Sequence, residues 1–204
     1  MNAIIFDFDG VIHDTFELAY ETSTRIFGKE LSREEYKNFF NGNIYERAEI
    51  DEENSKIFFE MQDEVFGSLE LKAETKIFLE KLTEKYSLFI ITSNQEKTLN
   101  AYFQKSESTH IFKDIFGFET HTSKVKKFEQ LFEKHNLKND DCVFITDTLG
   151  DILEGHKAGV KSIAVDFGFH DRERLEKGNP HKIVSNFDEM LEAIEEIMAD
   201  KKNE

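Results

Sequence analysis

The chain alternates short apolar runs with longer amphipathic stretches. Residues 3–8 form an apolar run that ends on two aspartates, Asp7 and Asp9, and Gly10 breaks it straight after. Uninterrupted runs of this length mark strands buried on both faces of a parallel sheet. Further apolar runs at 87–91, 115–118, 143–146 and 162–166 predict more strands, and helical periodicity at 74–85, 96–104, 126–135 and 150–158 falls between them. This alternation predicts an α/β fold built on a doubly wound parallel sheet. The lone proline, Pro180, marks a loop before a last strand, and 187–198 predicts a closing helix. Residues 16–71 break the rhythm. They carry helical signals at 16–27, 33–40 and 53–66, with a Ser32-x-x-Glu35 capping box and an irregular Asn41-Gly42-Asn43, and no strand signal among them.

Chemically versatile side chains collect where the predicted strands end, and that edge is where open α/β sheets bind ligands. Alternation along an extended chain points Asp7 and Asp9 the same way, so two carboxylates share one crevice and a cation relieves their repulsion. Alone, the tripeptide reads equally well as an Asp-x-Asp turn. Residues 143–151 repeat the design, with Asp147 at the strand tip and Asp151 four positions later as a helix begins. The run at 88–91 ends on Thr92, Ser93 and Asn94, and Lys124 stands in a polar loop ahead of the helix at 126–135. Two acidic pairs suit a hard divalent cation, while a hydroxyl, an ammonium and backbone amides suit the non-bridging oxygens of a phosphate. Together they form a kit for phosphoryl transfer.

With Asp7-Phe8-Asp9, Thr92, Lys124 and 147–151 in this order, the chain resembles the haloacid dehalogenase superfamily of phosphohydrolases over nearly its whole length. The branch it resembles is the phosphoglycolate phosphatase and β-phosphoglucomutase-like one. The resemblance implies a Rossmann-like catalytic core, residues 1–15 and 72–204, with an all-α cap inserted at 16–71. It implies Asp7 as the nucleophile that forms an aspartyl phosphate and Asp9 as the acid, then the base. Thr92 and Lys124 complete the catalytic set, with Ser93 and Asn94 beside the substrate. Mg²⁺ would sit between the Asp7 carboxylate, the Asp9 backbone carbonyl and the Asp147 carboxylate, with Asp151 binding through water or orienting the others. Three departures touch only backbone shape: Thr146 where the family often has glycine, Val125 where it often has proline, and Lys72-Ala73 at the return from cap to core. Gly67 is then the nearest flexible hinge candidate.

Within the cap, Gly42, Tyr45 and Arg47 occupy the stretch that commonly faces substrate, although an ordinary helix–helix loop explains them as well. A sugar-phosphate mutase of the β-phosphoglucomutase type would carry a histidine and an arginine where this chain has Ala19 and Tyr45. A dehalogenase would lack Asp9, and a non-catalytic binding protein would have lost a motif residue. The expectation is a Mg²⁺-dependent phosphatase of a small phosphorylated metabolite, phosphoglycolate-like or a sugar phosphate, with the mutase and the binding protein as alternatives.

Composition narrows the partners. At 204 residues the chain has room for one core domain and an insertion, and a formal charge of −16 argues against nucleic acid. The single cysteine, Cys142, excludes an internal disulfide, and no apolar run reaches membrane-spanning length, so a cytoplasmic protein without membrane contact is expected. The seven histidines show no paired spacing for zinc. His13 and His170 read as solvated loop histidines or as substrate contacts, and Gly168-Phe169-His170 resembles a loop that flanks the site in phosphoglycolate-phosphatase-like members. Twenty-one phenylalanines and no tryptophan point to core filling, with Phe39, Phe40, Phe58, Phe59 and Phe66 holding cap to cap or cap to core.

Overall fold

The computed structural model describes residues 2–28, 31–47 and 50–200. Six strands, β1 (Ala3–Phe6), β2 (Ser87–Ile91), β3 (Phe112–Phe116), β4 (Cys142–Thr146), β5 (Lys161–Val165) and β6 (Lys182–Val184), form one sheet ordered β3-β2-β1-β4-β5-β6. Every pairing in it is parallel. Both faces are covered, which is why the strands are apolar on both sides. Ile4, Phe6, Ile90 and Ile145 pack on helices α4 (Ala73–Thr83), α5 (Glu96–Lys105) and α9 (Phe187–Asp200). Ile5, Phe89, Ile91 and Phe144 face the other way, onto α6 (Lys124–His135). Each such side chain removed from water contributes about 1.5–3 kcal/mol. The chain winds outward from β1 to β3, then returns to place β4 on the other side of β1, so the order reverses between β1 and β4. Asp7 and Asp147 follow directly on those two strands, at the crevice that this reversal opens.

Between β1 and α4 come α1 (Phe16–Phe27), α2 (Arg33–Lys37) and α3 (Glu52–Phe66), with single 3-10 turns at Asn38–Asn41 and Ile44–Glu46. The Ser32 capping box forms in both directions. The aromatic side chains of this insertion gather around a core residue: the rings of Phe16 and Phe40 meet Phe169 edge-on, with centroids 5.0 and 5.1 Å away. Phe59 reaches Phe118 at 4.9 Å and Phe66 reaches Phe8 at 5.8 Å, so aromatic contact also ties α3 to the sheet side.

Several elements differ from the sequence pattern. The first strand stops at Phe6 rather than at residue 8, because the Phe8 carbonyl accepts the Ile12 N–H (2.9 Å) and the chain folds into a tight turn. That turn needs Gly10, whose φ is +74°. The helix expected at 33–40 tightens at Asn38, whose N–H bonds Glu34 and Tyr36 carbonyls together. β3 lies earlier than the 115–118 expected, since the chain leaves the sheet when the Phe118 N–H turns to the Asn94 carbonyl. Lys124 opens α6 rather than standing in a loop before it. A short helix, α8 (Arg172–Glu176), escapes the pattern because only five residues and the Asp171 cap announce it. Gly67, the hinge candidate, caps α3 in ordinary right-handed backbone with its carbonyl taken by Lys105, so nothing there calls for glycine. Among the described residues no helix is long and apolar enough to cross a membrane.

Candidate active site

The strand tips bring together residues far apart in sequence. Asp7 leaves β1 with its N–H bonded to the Ile145 carbonyl of β4, which fixes it beside Asp147. Lys124, the first residue of α6, places its Nζ 2.8 Å from Asp7 Oδ2 and 2.5 Å from Asp151 Oδ2, and all three groups are buried. Asp151 lies in the first turn of α7 (Leu149–Lys157), whose N-cap is Thr148, and its Oδ2 also accepts the Thr146 hydroxyl at 2.8 Å. Thr146, which replaces the expected glycine, thus steers a carboxylate. Asp147 Oδ2 accepts the Phe169 N–H at 2.7 Å, while its Oδ1 is buried with no hydrogen-bond partner among the described residues. The carboxylate is walled so closely that a Cβ on Gly10 or Gly168 would collide with it. Thr92 is fully buried after β2, and its Oγ1 accepts the Asn94 N–H.

The electrostatics follow from this packing. Burial pushes Asp7 well up, with the Asp151 and Asp147 charges adding to it and Lys124 opposing. Burial also pushes Asp147 up, to about 8, since one backbone N–H is weak compensation. For Asp151 burial works upward as well, but Lys124 and the hydrogen bonds from Asp7 and Thr146 outweigh it and hold the group low. Lys124 is desolvated too, yet the two carboxylates keep it firmly protonated. Asp9 faces elsewhere than the alternation suggests. Past the end of β1 its Oδ1 accepts the Thr15 hydroxyl (2.7 Å) and its side chain lines a cavity under the helical insertion. Burial raises its pKa, against the Thr15 hydrogen bond and Lys124.

That cavity holds about 100 Å³ between Asp9, Ser93 and Asn94 on one side and the rings of the insertion on the other. Tyr45 lines it, but its hydroxyl donates to the Ser93 carbonyl at 2.7 Å and so ties the insertion to the sheet. Arg47, expected to read a substrate, is placed differently: its guanidinium lies 4.1 Å over the Phe39 ring and it is not part of the cavity wall. Gly42 packs its backbone on the start of α7, where a Cβ on Gly150 would come within 2.4 Å of the Gly42 oxygen. Neither histidine is a solvated loop residue or lines the cavity. His13 stacks on Phe8 and its Nδ1 meets the Tyr102 hydroxyl at 3.0 Å. His170 is fully buried; its Nδ1 accepts the Leu149 N–H, which leaves Nε2–H to donate to the Lys37 carbonyl of the insertion at 2.9 Å.

Two residues escape the sequence reading. Glu154, one helical turn beyond Asp151, receives the Lys124 N–H (2.9 Å) and the Ser123 hydroxyl (3.0 Å), so it anchors the start of α6 and with it the lysine. Its spacing from Asp151 puts both on one helix face, but a glutamate in a helix ordinarily signals only a solvated surface. Lys127, one turn beyond Lys124, is buried with its Nζ on the Thr92 carbonyl at 2.5 Å, and burial lowers its pKa to about 7.

The donors suit a hard divalent cation in kind: oxygen alone, two buried carboxylates pushed upward, and the orphaned Asp147 Oδ1. In arrangement, no three histidine, cysteine or carboxylate groups among the described residues already converge on one point, because the Lys124 ammonium draws Asp7 and Asp151 to itself. Chemistry decides between the two, since carboxylates turn about soft torsions whereas an unpartnered buried oxygen is costly.

A doubly wound sheet with an acidic site at its switch point and a helical insertion over it is an α/β enzyme architecture. The chain belongs to the haloacid dehalogenase-like hydrolases, whose family model matches residues 4–165. It is 22% identical over 210 residues to a phosphoglycolate phosphatase of Synechococcus elongatus, covering 97% of this chain and 99% of that one. It is likewise 22% identical over 216 residues to the pyrophosphatase PpaX of Bacillus mycoides, covering 97% and 98%. Against the phosphoglycolate phosphatase of Aliivibrio fischeri, 24% identical, it spans only 55% of that protein's length. Among solved structures, a predicted phosphatase from Clostridium acetobutylicum superimposes with a TM-score of 0.78 at 21% identity, covering 96% of this chain and 98% of that one.

Proposed function

We propose that this chain is a phosphatase that hydrolyses a small phosphomonoester through an aspartyl phosphate. The observation that carries the reading is the pairing of Lys124 with Asp7 at the end of β1, with the Asp9 carboxyl on the cavity wall just beyond. Asp7 attacks phosphorus, a P–O bond to Asp7 forms as the bond to the leaving oxygen breaks, and Asp9 gives that oxygen its proton. Asp9 is suited to hold a proton beforehand because burial raises its pKa. In the second half Asp9 takes a proton from water, the water oxygen bonds to phosphorus, and the bond to Asp7 breaks to release inorganic phosphate. Lys124, Thr92 and nearby backbone amides hold the equatorial oxygens, on which negative charge spreads. Asp7, the Asp9 carbonyl and Asp147 are the residues that would hold Mg²⁺, with Asp151 in support. When bound, the ion neutralises phosphate charge and lets the anion approach a carboxylate nucleophile. Residues 16–71 act as a cap over residues 1–15 and 72–204, excluding water and reading the leaving group.

The test is release of inorganic phosphate with Mg²⁺, against an Asp7→Asn and an Asp9→Asn variant. Turnover should vanish in excess chelator and in Asp7→Asn. Asp9→Asn should slow alkyl phosphates by about 10²–10⁴-fold and spare activated aryl phosphates, whose leaving oxygen needs little help. Substantial activity in Asp7→Asn would refute the covalent route.

A further inference from the structure

The cavity wall carries information about what leaves. Rings from every part of the insertion face it, among them Tyr36, Phe39, Phe58 and Phe59, with Phe169 from the sheet side. Among the described residues its only charged lining group is the Asp9 carboxyl, and no lysine or arginine lines it. Arg47 of the insertion lies over the Phe39 ring rather than in the wall. A glycolate leaving group would bring a carboxylate, and a pyrophosphate a second phosphate, into this wall. Either anion would be desolvated against aromatic rings with no cation on that wall to meet it. Serine and amide side chains, among them Ser23, Ser55 and Asn94, interrupt the rings, but apolar surface dominates the wall, so a polyhydroxylated sugar would press several of its hydroxyls against carbon.

One polar group does await a ligand. Gln62 of α3 is 3% exposed, lines the cavity, and its Oε1 has no hydrogen-bond partner among the described residues. The oxygen itself is enclosed, but the terminal torsion of a glutamine is soft, so a small rotation of the amide turns this unsatisfied acceptor toward a donor in the cavity.

Building on the phosphatase reading above, we propose that the substrate is a phosphate ester of a compact, uncharged, mainly apolar alcohol carrying one hydrogen-bond donor, a hydroxyl or N–H, that Gln62 Oε1 receives. Asp9 stands where the ester oxygen must lie, so the carbon skeleton extends from it into the aromatic chamber. The cavity, about 100 Å³, sets the size. Since a void of ~150 Å³ accommodates benzene, a skeleton of about five carbons fits here. Gln62 is then a specificity-determining residue and takes no part in the chemistry.

The experiment measures kcat/KM for 3-methylbutyl phosphate, the set of its monohydroxylated derivatives, 2-phosphoglycolate and pyrophosphate, with wild type and with Gln62→Leu. The methylbutyl and glycolate esters leave as alkyl alcohols, so their comparison reads the pocket. The wild type should favour 3-methylbutyl phosphate over both anionic compounds by at least about tenfold. One hydroxylated derivative should exceed the parent by a further factor of about ten, as expected when a buried acceptor is satisfied. In Gln62→Leu that second preference should collapse to a ratio near one. A wild type that favours phosphoglycolate or pyrophosphate overturns the proposal and leaves the phosphatase reading intact. Retention of the hydroxyl preference in Gln62→Leu overturns the role of Gln62. No phosphate release from any ester, by wild-type protein with Mg²⁺, overturns the phosphatase reading and this proposal together. The wild-type panel decides the substrate class even should the variant fail to fold.

Discussion

At the scale of single residues, Glu154 receives the Lys124 N–H and the Ser123 hydroxyl across the gap between two helices and so fixes where the lysine starts. Its role is positional. Glu154→Ala should strand those donors, lowering stability by about 1–3 kcal/mol, and let the lysine drift from Asp7, lowering kcat about tenfold or more while KM changes little. Glu154→Gln keeps the acceptor oxygen and should restore most of kcat, an outcome that loss of general packing would not produce. Steady-state kinetics and a thermal melt on the two variants check it. Asp7 and Asp147 were legible in the sequence because each follows an apolar run at a strand end, whereas Glu154 acts across a gap between helices that local sequence does not encode, and the stacking of Arg47 on Phe39 likewise leaves no local pattern.

At the scale of elements, hydrogen bonds at Lys37, Asn43, Tyr45 and Asp63 tie the helical insertion to the sheet side, and the partner of Lys37 titrates. His170 must keep Nδ1 free of a proton to accept the Leu149 N–H, and burial lowers its pKa to about 4. An unfolded histidine titrates near 6.5. Between these values the unfolded chain binds a proton that the folded one refuses, so stability falls as pH drops from about 6.5 and the loss is complete near 4. Its full size is about 3 kcal/mol. Denaturant unfolding at pH 7.5 and 5 should show a larger drop for wild type than for His170→Gln, which has no such proton to bind. Equal drops in both would show that another group governs acid sensitivity. Buried Asp7 and Asp147 act in the opposite direction, because their raised values favour the folded state as pH falls, and the variant comparison cancels them. Helix and strand identities in the sheet region were legible because apolar runs there are short and bounded. Boundaries slipped where hydrogen bonds settle them, at the Phe8 turn and at the Asn94–Phe118 link that ends β3, and a histidine that bridges two elements through backbone groups leaves no pattern at all.

At the scale of the whole molecule, a formal charge of −16 surrounds a site meant for an anion. The surface field repels an incoming phosphate until the local cations take over, and salt screens that field beyond about 8–10 Å. Raising sodium chloride from about 10 to 200 mM at fixed Mg²⁺ should therefore raise kcat/KM for a phosphomonoester severalfold; a steep fall would mean that the positive site dominates at long range. The sheet order was open to the sequence only as a class, since alternation implies parallel winding but the reversal between β1 and β4 appears only in the assembled sheet. The tie between Tyr45 and the Ser93 carbonyl carries a last consequence, for observation rather than catalysis. With no tryptophan and five tyrosines, the intrinsic emission of this protein is tyrosine emission, and Tyr36 and Tyr45 stand at the chamber wall. A phenol bonded to a peptide carbonyl emits differently from a released one, so the molecule carries a native optical gauge of whether its roof is seated.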